Sequence, residues 1–149
     1  MPILIVETNG DVAASADSIG ASVVYQILDA QRILYEHIKV SHIGAVAPTA
    51  WVGLDSVDYE GLIVIGGILE GDTHDMALFH ECARNIHDVA MQHSIALGFG
   101  LVTANNKKAL QEKIVAASGQ AALSCVEVLR IIDHYRLLIG EPDDVAYQN

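Results

Sequence analysis

The sequence predicts an α/β fold with a single parallel sheet of four strands between two layers of helices. Short apolar runs alternate with amphipathic stretches along the chain. One run, Gly61–Leu69, is continuously apolar, which is typical of a parallel strand buried on both faces. Strand–helix units in series favour right-handed crossovers that place helices on both sides. Residues 1–149 are therefore expected to form one domain with its own core.

The four strands are predicted at residues 3–6, 38–46, 61–69 and 95–102, where β-branched and apolar residues cluster between turn signals. Helices are predicted where apolar residues recur at spacings of three and four. These are residues 12–27, a stretch with Met76, Phe79, Ala83, Ile86 and Ala90 on one stripe, residues 105–117, and a last helix from 119 or 120 to about 138. Residues 47–60 are expected to form a loop or a short helix.

Composition excludes several classes of partner. The formal net charge is −11 and only eight residues are Lys or Arg, so nucleic acid and anionic membranes are not expected partners. No apolar run approaches the roughly 18 residues that span a bilayer. A mean hydropathy of +0.35 instead favours an oligomer that hides part of its surface.

The two cysteines, Cys82 and Cys125, fall in helical patterns and belong to no C-x-x-C motif. A disulfide framework or a cysteine zinc site is therefore not expected. The first residues have no basic region and too short an apolar run for a signal peptide. We expect a cytoplasmic protein.

The loop after the third strand carries the strongest chemistry. Ligands of parallel α/β sheets bind beyond the carboxyl ends of strands, and here Gly66–Gly67 leads through Glu70-Gly71-Asp72-Thr73-His74 into a helix. Free amides at a helix start favour an anion, and glycine permits close approach of a ligand. Asp72 or Thr73 could instead be an ordinary helix cap.

His74 lies at the same helix start and could exchange protons near neutral pH. The alternative is a surface histidine without a chemical task. A metal site built from His74, Asp75, His80 and Glu81 is a weaker hypothesis, because these residues form no tight ligand pair at helical spacing. No metal is expected.

Five segments, in this order along the chain, resemble the lumazine synthase family. They are Ala47-Pro48-Thr49-Ala50-Trp51, the Gly66 to His74 loop, Glu81-Cys82-Ala83-Arg84, Phe99-Gly100-Leu101-Val102-Thr103 and Gly119-Gln120-Ala121-Ala122-Leu123. The resemblance covers residues 1–138. It implies a flavodoxin-like three-layer sandwich that assembles as a pentamer or a multiple of pentamers, with each active site between adjacent subunits.

The activity implied by the resemblance joins 5-amino-6-ribitylaminouracil to 3,4-dihydroxy-2-butanone 4-phosphate, giving 6,7-dimethyl-8-ribityllumazine with release of phosphate and water. No cofactor is implied. His74 would transfer protons, while Gly71, Asp72 and Thr73 would hold the phosphate. Lys113 is nearest to the family's phosphate-binding arginine, one position away.

The resemblance also assigns residues to the ribitylaminouracil. Trp51 would lie beside the pyrimidine, and Phe99 of a neighbouring subunit would close that pocket. Thr49 and Ala50 would offer backbone groups to the ribityl chain, and Ile68 and Leu69 would offer backbone groups to the uracil edge. Asn9 or Gly10 stands where the family has a stacking aromatic residue.

The chain departs from the family pattern at several positions. Glu70 replaces the usual arginine, Val52 replaces a carboxylate, and one residue is missing before His74, so that a gapless alignment would put Asp75 in the histidine position. Two hypotheses follow. The protein is an active lumazine synthase that uses His74, or a catalytically weakened relative that binds flavin precursors or forms shells.

Overall fold

Four parallel strands form one sheet in the computed structural model, which describes residues 2–8 and 18–139. The strands are β1 (Ile3–Thr8), β2 (Tyr35–Val40), β3 (Gly61–Leu69) and β4 (Ala96–Ala104). Their order is β2-β1-β3-β4, with every neighbouring pair parallel. This is the flavodoxin-like order, in which the chain changes direction across the sheet between β1 and β3. The predicted α/β class and strand number are confirmed.

In the part of the chain that the structure describes, four α-helices cover the sheet: α1 (Ile19–Ala30), α2 (Val46–Ser56), α3 (Thr73–Gln92) and α4 (Lys107–Ile139). Alternation along each strand separates two cores. Ile3 and Ile5 face α1 and α4, whereas Leu4 and Val6 face α2 and α3. The fold is thus the predicted three-layer sandwich. The predicted helical residues Val12 and Ala16 lie outside the described residues, as does the segment 140–149.

The second strand was predicted in the wrong place. The sequence pattern gave residues 38–46, but β2 spans Tyr35–Val40, and Ile43–Ala45 forms a 3-10 turn that leads directly into α2. β2 is an edge strand whose residues alternate between partly buried and exposed over most of its length. A half-exposed strand of this kind has no continuous apolar run, and the apolar residues after it belong to the start of a helix.

The predicted break near Gly119 is also wrong, because α4 is one continuous helix. Close packing between α4 and β4 explains why the helix continues through Gly119. A Cβ on Gly98 of β4 would lie 2.0 Å from the Ala121 carbonyl oxygen, and one on Gly100 would lie 2.8 Å from that of Ala117. Small residues on both elements let the helix lie directly on the strand, and this contact offsets the roughly 1 kcal/mol that a helical glycine costs.

By length and composition alone, helix α4 is long and apolar enough to cross a membrane, and one 18-residue stretch of it has a mean hydropathy of 1.4. Its inner stripe, however, includes Leu110, Ala121, Ala122 and Cys125, which are buried against the sheet and α1. Part of its hydropathy therefore belongs to the core, and 33% of that 18-residue stretch is buried. Beyond the core, its last turns leave several large apolar side chains exposed, among them Tyr135, Leu137 and Ile139.

Candidate functional site

The carboxyl edge of the sheet at β1 and β3 frames the candidate site. Among the described residues, β1 ends at Thr8, which pairs with Gly66, whereas β3 continues to Leu69 alongside β4. Ile68 and Leu69 thus pass beyond the described end of β1 on that side. Both lie where the resemblance places backbone contacts to a uracil edge, at the point where ligands of such sheets bind.

The loop from β3 delivers Gly71, Asp72, Thr73 and His74 to one helix start. Asp72 caps α3, because its Oδ1 accepts a hydrogen bond from the Asp75 amide at 3.0 Å. Thr73 and His74 are the first two residues of the helix, and all four residues are exposed. The structure therefore brings the predicted phosphate-binding residues and the predicted proton-transfer residue together at the amino end of α3.

Carboxylates surround this helix start. The Asp75 carboxylate lies against Gly71, with Oδ2 1.9 Å from the position that a Cβ on that glycine would take. With Asp72, it places two negative charges where an incoming phosphate would bind. A phosphate that approached the Gly71 backbone from this side would meet the Asp75 carboxylate.

Lys113 lies on the same edge, above the end of β4. Its Nζ donates to the Thr103 carbonyl at 3.0 Å, and Thr103 pairs with Ile68 of β3. The Thr103 hydroxyl is 3.4 Å from Oε1 of Glu70, whose amide donates to the Ala104 carbonyl at 2.8 Å. Lys113 and Glu70 therefore both contact Thr103. The predicted phosphate-binding lysine thus has near it the carboxylate that stands in place of the family's arginine.

The two aromatic candidates lie elsewhere in the chain. The ring of Trp51, 42% exposed on α2, packs edge-on against His93 with centroids 5.1 Å apart. Phe99 of β4 is 5.2 Å from the ring of His87. His93 directly follows α3, a helix about 30 Å long, whereas His74 lies at its start. One chain thus does not bring Trp51 to His74.

The remaining predicted residues differ in how far the structure describes them. Thr49 and Ala50 lie inside α2, and Ala50 is fully buried, so their segment is helical rather than an open loop. Asn9 and Gly10 lie outside the described residues. No three of the described His, Cys, Asp and Glu side chains, including His74, Asp75, His80 and Glu81, form a group that could hold a metal ion.

Comparison with known proteins identifies the family. The sequence profile of 6,7-dimethyl-8-ribityllumazine synthase matches residues 24–133. The chain belongs to the lumazine synthase family. The matched range includes β3, β4 and the β3–α3 loop with His74. Apart from β1, all the described parts of the candidate site therefore lie within it.

Two further searches add little to that assignment. No curated protein matches the chain. Among solved structures, a GDP-L-fucose synthetase from Naegleria fowleri aligns with a TM-score of 0.42 and 10% identity over 94% of this chain. The chain spans 50% of the length of that protein. At this level of similarity the alignment carries no argument about function.

The sequence did not lead us to predict that the Asp75 carboxylate lies against Gly71. The signal was present, since an acidic residue in the first turn of a helix commonly interacts with free amides. Nor did the sequence lead us to predict a buried carboxylate, Glu7, which pairs with His37 at 2.9 Å on the other side of the sheet. A charged residue within the apolar first strand was the available clue.

Proposed function

We propose that the protein catalyses the lumazine synthase reaction, in which 5-amino-6-ribitylaminouracil condenses with 3,4-dihydroxy-2-butanone 4-phosphate. The observation that carries the proposal is the arrangement of the β3–α3 loop, which puts Gly71, Thr73 and His74 at one helix start beside the projecting end of β3. Family membership makes the same segment the first place to look for substrate contacts.

The proposed chemistry needs few groups from the protein. The substrate amine attacks the ketone, an imine forms with loss of water, phosphate leaves, and the ring closes. Each step moves a proton, and the exposed imidazole of His74 is placed to accept or donate it. Free amides at the start of α3 and the Thr73 hydroxyl would hold the phosphate. Most of the rate enhancement would come from holding two substrates in register.

The proposal includes an active site completed by a second subunit of a pentamer. Within one chain, Trp51 and Phe99 lie along the later part of α3, against His93 and His87. An aromatic ring from a neighbouring copy would supply the missing wall of the pyrimidine pocket beside His74. The exposed apolar side chains of α4 are consistent with burial of further surface in an assembly.

We also propose that the protein is cytoplasmic, in keeping with two cysteines that form no disulfide with each other. Cys82 lies in the core between the sheet and α3, whereas Cys125 lies in the core on the opposite face, so they cannot pair. Burial raises the pKa of Cys82 to about 11 and that of Cys125 to about 12. Both remain thiols at neutral pH, and neither is suited to act as a nucleophile.

The proposed activity is tested by mixing purified protein with both substrates and following the fluorescence of the lumazine product. We expect product to form faster than in a protein-free mixture of the same composition. A rate equal to the spontaneous one would contradict the proposal. Binding of the ribitylaminouracil without turnover would then favour the second candidate function.

That second candidate is a relative that binds flavin precursors, or forms shells, with little catalysis. The carboxylates of Glu70, Asp72 and Asp75 favour it, because each opposes a phosphate at the start of α3. Opposite or like unit charges about 4 Å apart interact by about 1 kcal/mol in water and more at a partly buried surface. The distinction between the two candidates thus depends on how strongly these groups repel phosphate.

Removing two of these carboxylates is expected to strengthen phosphate binding. Glu70→Gln and Asp75→Asn together should lower the Kd for inorganic phosphate by about tenfold or more, since each removes roughly 1 kcal/mol of repulsion. Titration calorimetry at low ionic strength measures the change. Glu81→Gln, an exposed carboxylate further along α3 that pairs with Arg84, is the matched control and should leave the Kd unchanged. Equal affinities in all three proteins would show that phosphate does not bind at this helix start.

A further inference from the structure

A carboxylate, an imidazole and a phenol lie in contact inside the layer between the sheet and α1. Glu7 of β1 is 1% exposed, and its Oε1 lies 2.9 Å from Nε2 of His37 on β2. On the other side of the ring, Nδ1 is hydrogen-bonded to the hydroxyl of Tyr25 on α1. The two ring nitrogens thus face different partners, the carboxylate at Nε2 and the phenol at Nδ1.

These contacts join three separate elements. β2 lies at the edge of the sheet and pairs with β1 alone among the described strands. Helix α1 begins at the cap residue Ser18, whose side chain accepts from the Ala21 amide and lies close enough to Glu7 to lower the pKa of that carboxyl. Glu7 therefore connects the end of β1 to the edge strand through His37 and to the start of α1 through Ser18.

The groups packed around Glu7 favour a negative charge on its carboxylate. Lys39 is opposite Glu7 in the β1–β2 pairing and acts on it as a positive charge. Toward the amino end of β2, Tyr35 stacks on Tyr25 with centroids 4.9 Å apart, and burial together with the nearby Asp29 carboxylate raises the pKa of the Tyr35 hydroxyl.

Among the residues that the structure describes, β3 and α4 contribute no charged side chain to the core on this side. The described core residues that β3 and α4 contribute here are apolar, including Ile63, Ile65 and Ala122, and α4 adds the Ser118 hydroxyl near Gly20. Glu7 is thus the carboxylate that balances an imidazole and an ammonium group at this position.

Ionised Glu7 is favoured in the folded protein. Burial alone would raise the pKa of the Glu7 carboxyl, but hydrogen bonds from His37 and Ser18 and the charges of His37 and Lys39 bring it below its usual value. A carboxyl whose pKa is lower when folded stabilises the protein above its unfolded pKa, and that contribution is lost as the pH falls through the folded pKa. Protonated Glu7 would no longer offer a negative charge to the Lys39 ammonium group or to the ring nitrogen of His37 that faces it.

We propose that Glu7, His37 and Tyr25 form an acid-sensitive latch. While Glu7 is ionised, the latch fastens the edge strand β2 and helix α1 to β1. When Glu7 is protonated, these two elements are released before the rest of the sheet unfolds. The latch lies on the α1 side of β1, away from the α3 start, and its operation does not depend on the proposed catalytic activity.

Amide hydrogen exchange, measured as protection factors that correct for the intrinsic pH dependence of exchange, tests this latch. As the pH falls from about 6 to about 2, through the lowered pKa of Glu7, protection in β2 and α1 is expected to fall severalfold more than protection in β3 and β4. In Glu7→Gln, β2 and α1 should already be weakly protected near neutral pH and should change little with acid. Glu81→Gln, which removes an exposed carboxylate, should behave like the parent.

A second variant keeps the test decisive if Glu7→Gln does not fold. Tyr25→Phe removes only the phenol hydroxyl and retains the stacked ring and the Glu7–His37 pair. It should lower the protection of β2 and α1 at neutral pH, relative to β3 and β4, while keeping the acid response. Uniform loss of protection across all four strands in acid, or an unchanged protection pattern in Tyr25→Phe, would overturn the proposal.

Discussion

Replacing His74 by alanine is expected to lower kcat for lumazine formation by about a hundredfold, the usual contribution of a positioned proton-transfer group. The imidazole lies exposed at the second position of α3, beside the loop that would hold the phosphate. Because this side chain is exposed, the variant should keep its structure. Initial rates of product fluorescence measure the loss, and sedimentation velocity measures whether assembly is unchanged.

His80→Ala is the matched control for that experiment, because His80 is another exposed histidine on the same helix. Its removal is expected to leave kcat within about twofold of the parent, since a surface substitution away from the reacting atoms usually has a small effect. Equal rates in parent and His74→Ala would exclude His74 from proton transfer. Asp75, which takes the histidine position in a gapless alignment, would then be the next residue to replace.

The second large effect is expected from Gly66→Ala, which should reduce the free energy of unfolding by about 3 kcal/mol or more. Gly66 has a φ of +119°. A Cβ at this position would lie 1.8 Å from the Thr8 carbonyl oxygen, so β1 and β3 could not keep their pairing beside the candidate site. Urea denaturation followed by far-ultraviolet circular dichroism measures the loss.

Gly44→Ala provides the control, because no atom lies within 4 Å of the position that its Cβ would take. Its free energy of unfolding should stay within about 0.5 kcal/mol of the parent. If Gly66→Ala were as stable as Gly44→Ala, the close approach of β1 and β3 at their carboxyl ends would be wrong. Accumulation of Gly66→Ala only as insoluble protein would agree with the expected loss.

Much of the fold follows from local patterns in the sequence. β3 was predicted with the correct bounds, because a continuous apolar run between turn signals has few other readings in an α/β chain. The bounds of β2 and the continuity of α4 through Gly119 could not be predicted in the same way. β2 is a half-exposed edge strand, and the continuity of α4 depends on contact between Gly98 and Ala121, which are distant in sequence.

The candidate site was predictable only in part. Gly71, Thr73 and His74 follow a buried strand directly, so their position at the sheet edge is a local consequence of the chain. The contact of Asp75 with Gly71 and the sharing of Thr103 by Glu70 and Lys113 depend on side-chain directions. The position of Trp51 against His93 depends on how α2 packs on α3, which no short motif specifies.

A crystal structure of the protein with bound 3,4-dihydroxy-2-butanone 4-phosphate tests most directly whether the start of α3 is the reaction site. The account predicts a phosphate group within hydrogen-bond distance of the Gly71 to Thr73 segment, the Asp75 carboxylate turned away from Gly71, and His74 next to the ketone. A ligand bound elsewhere in the molecule, with Asp75 still against Gly71, would contradict it.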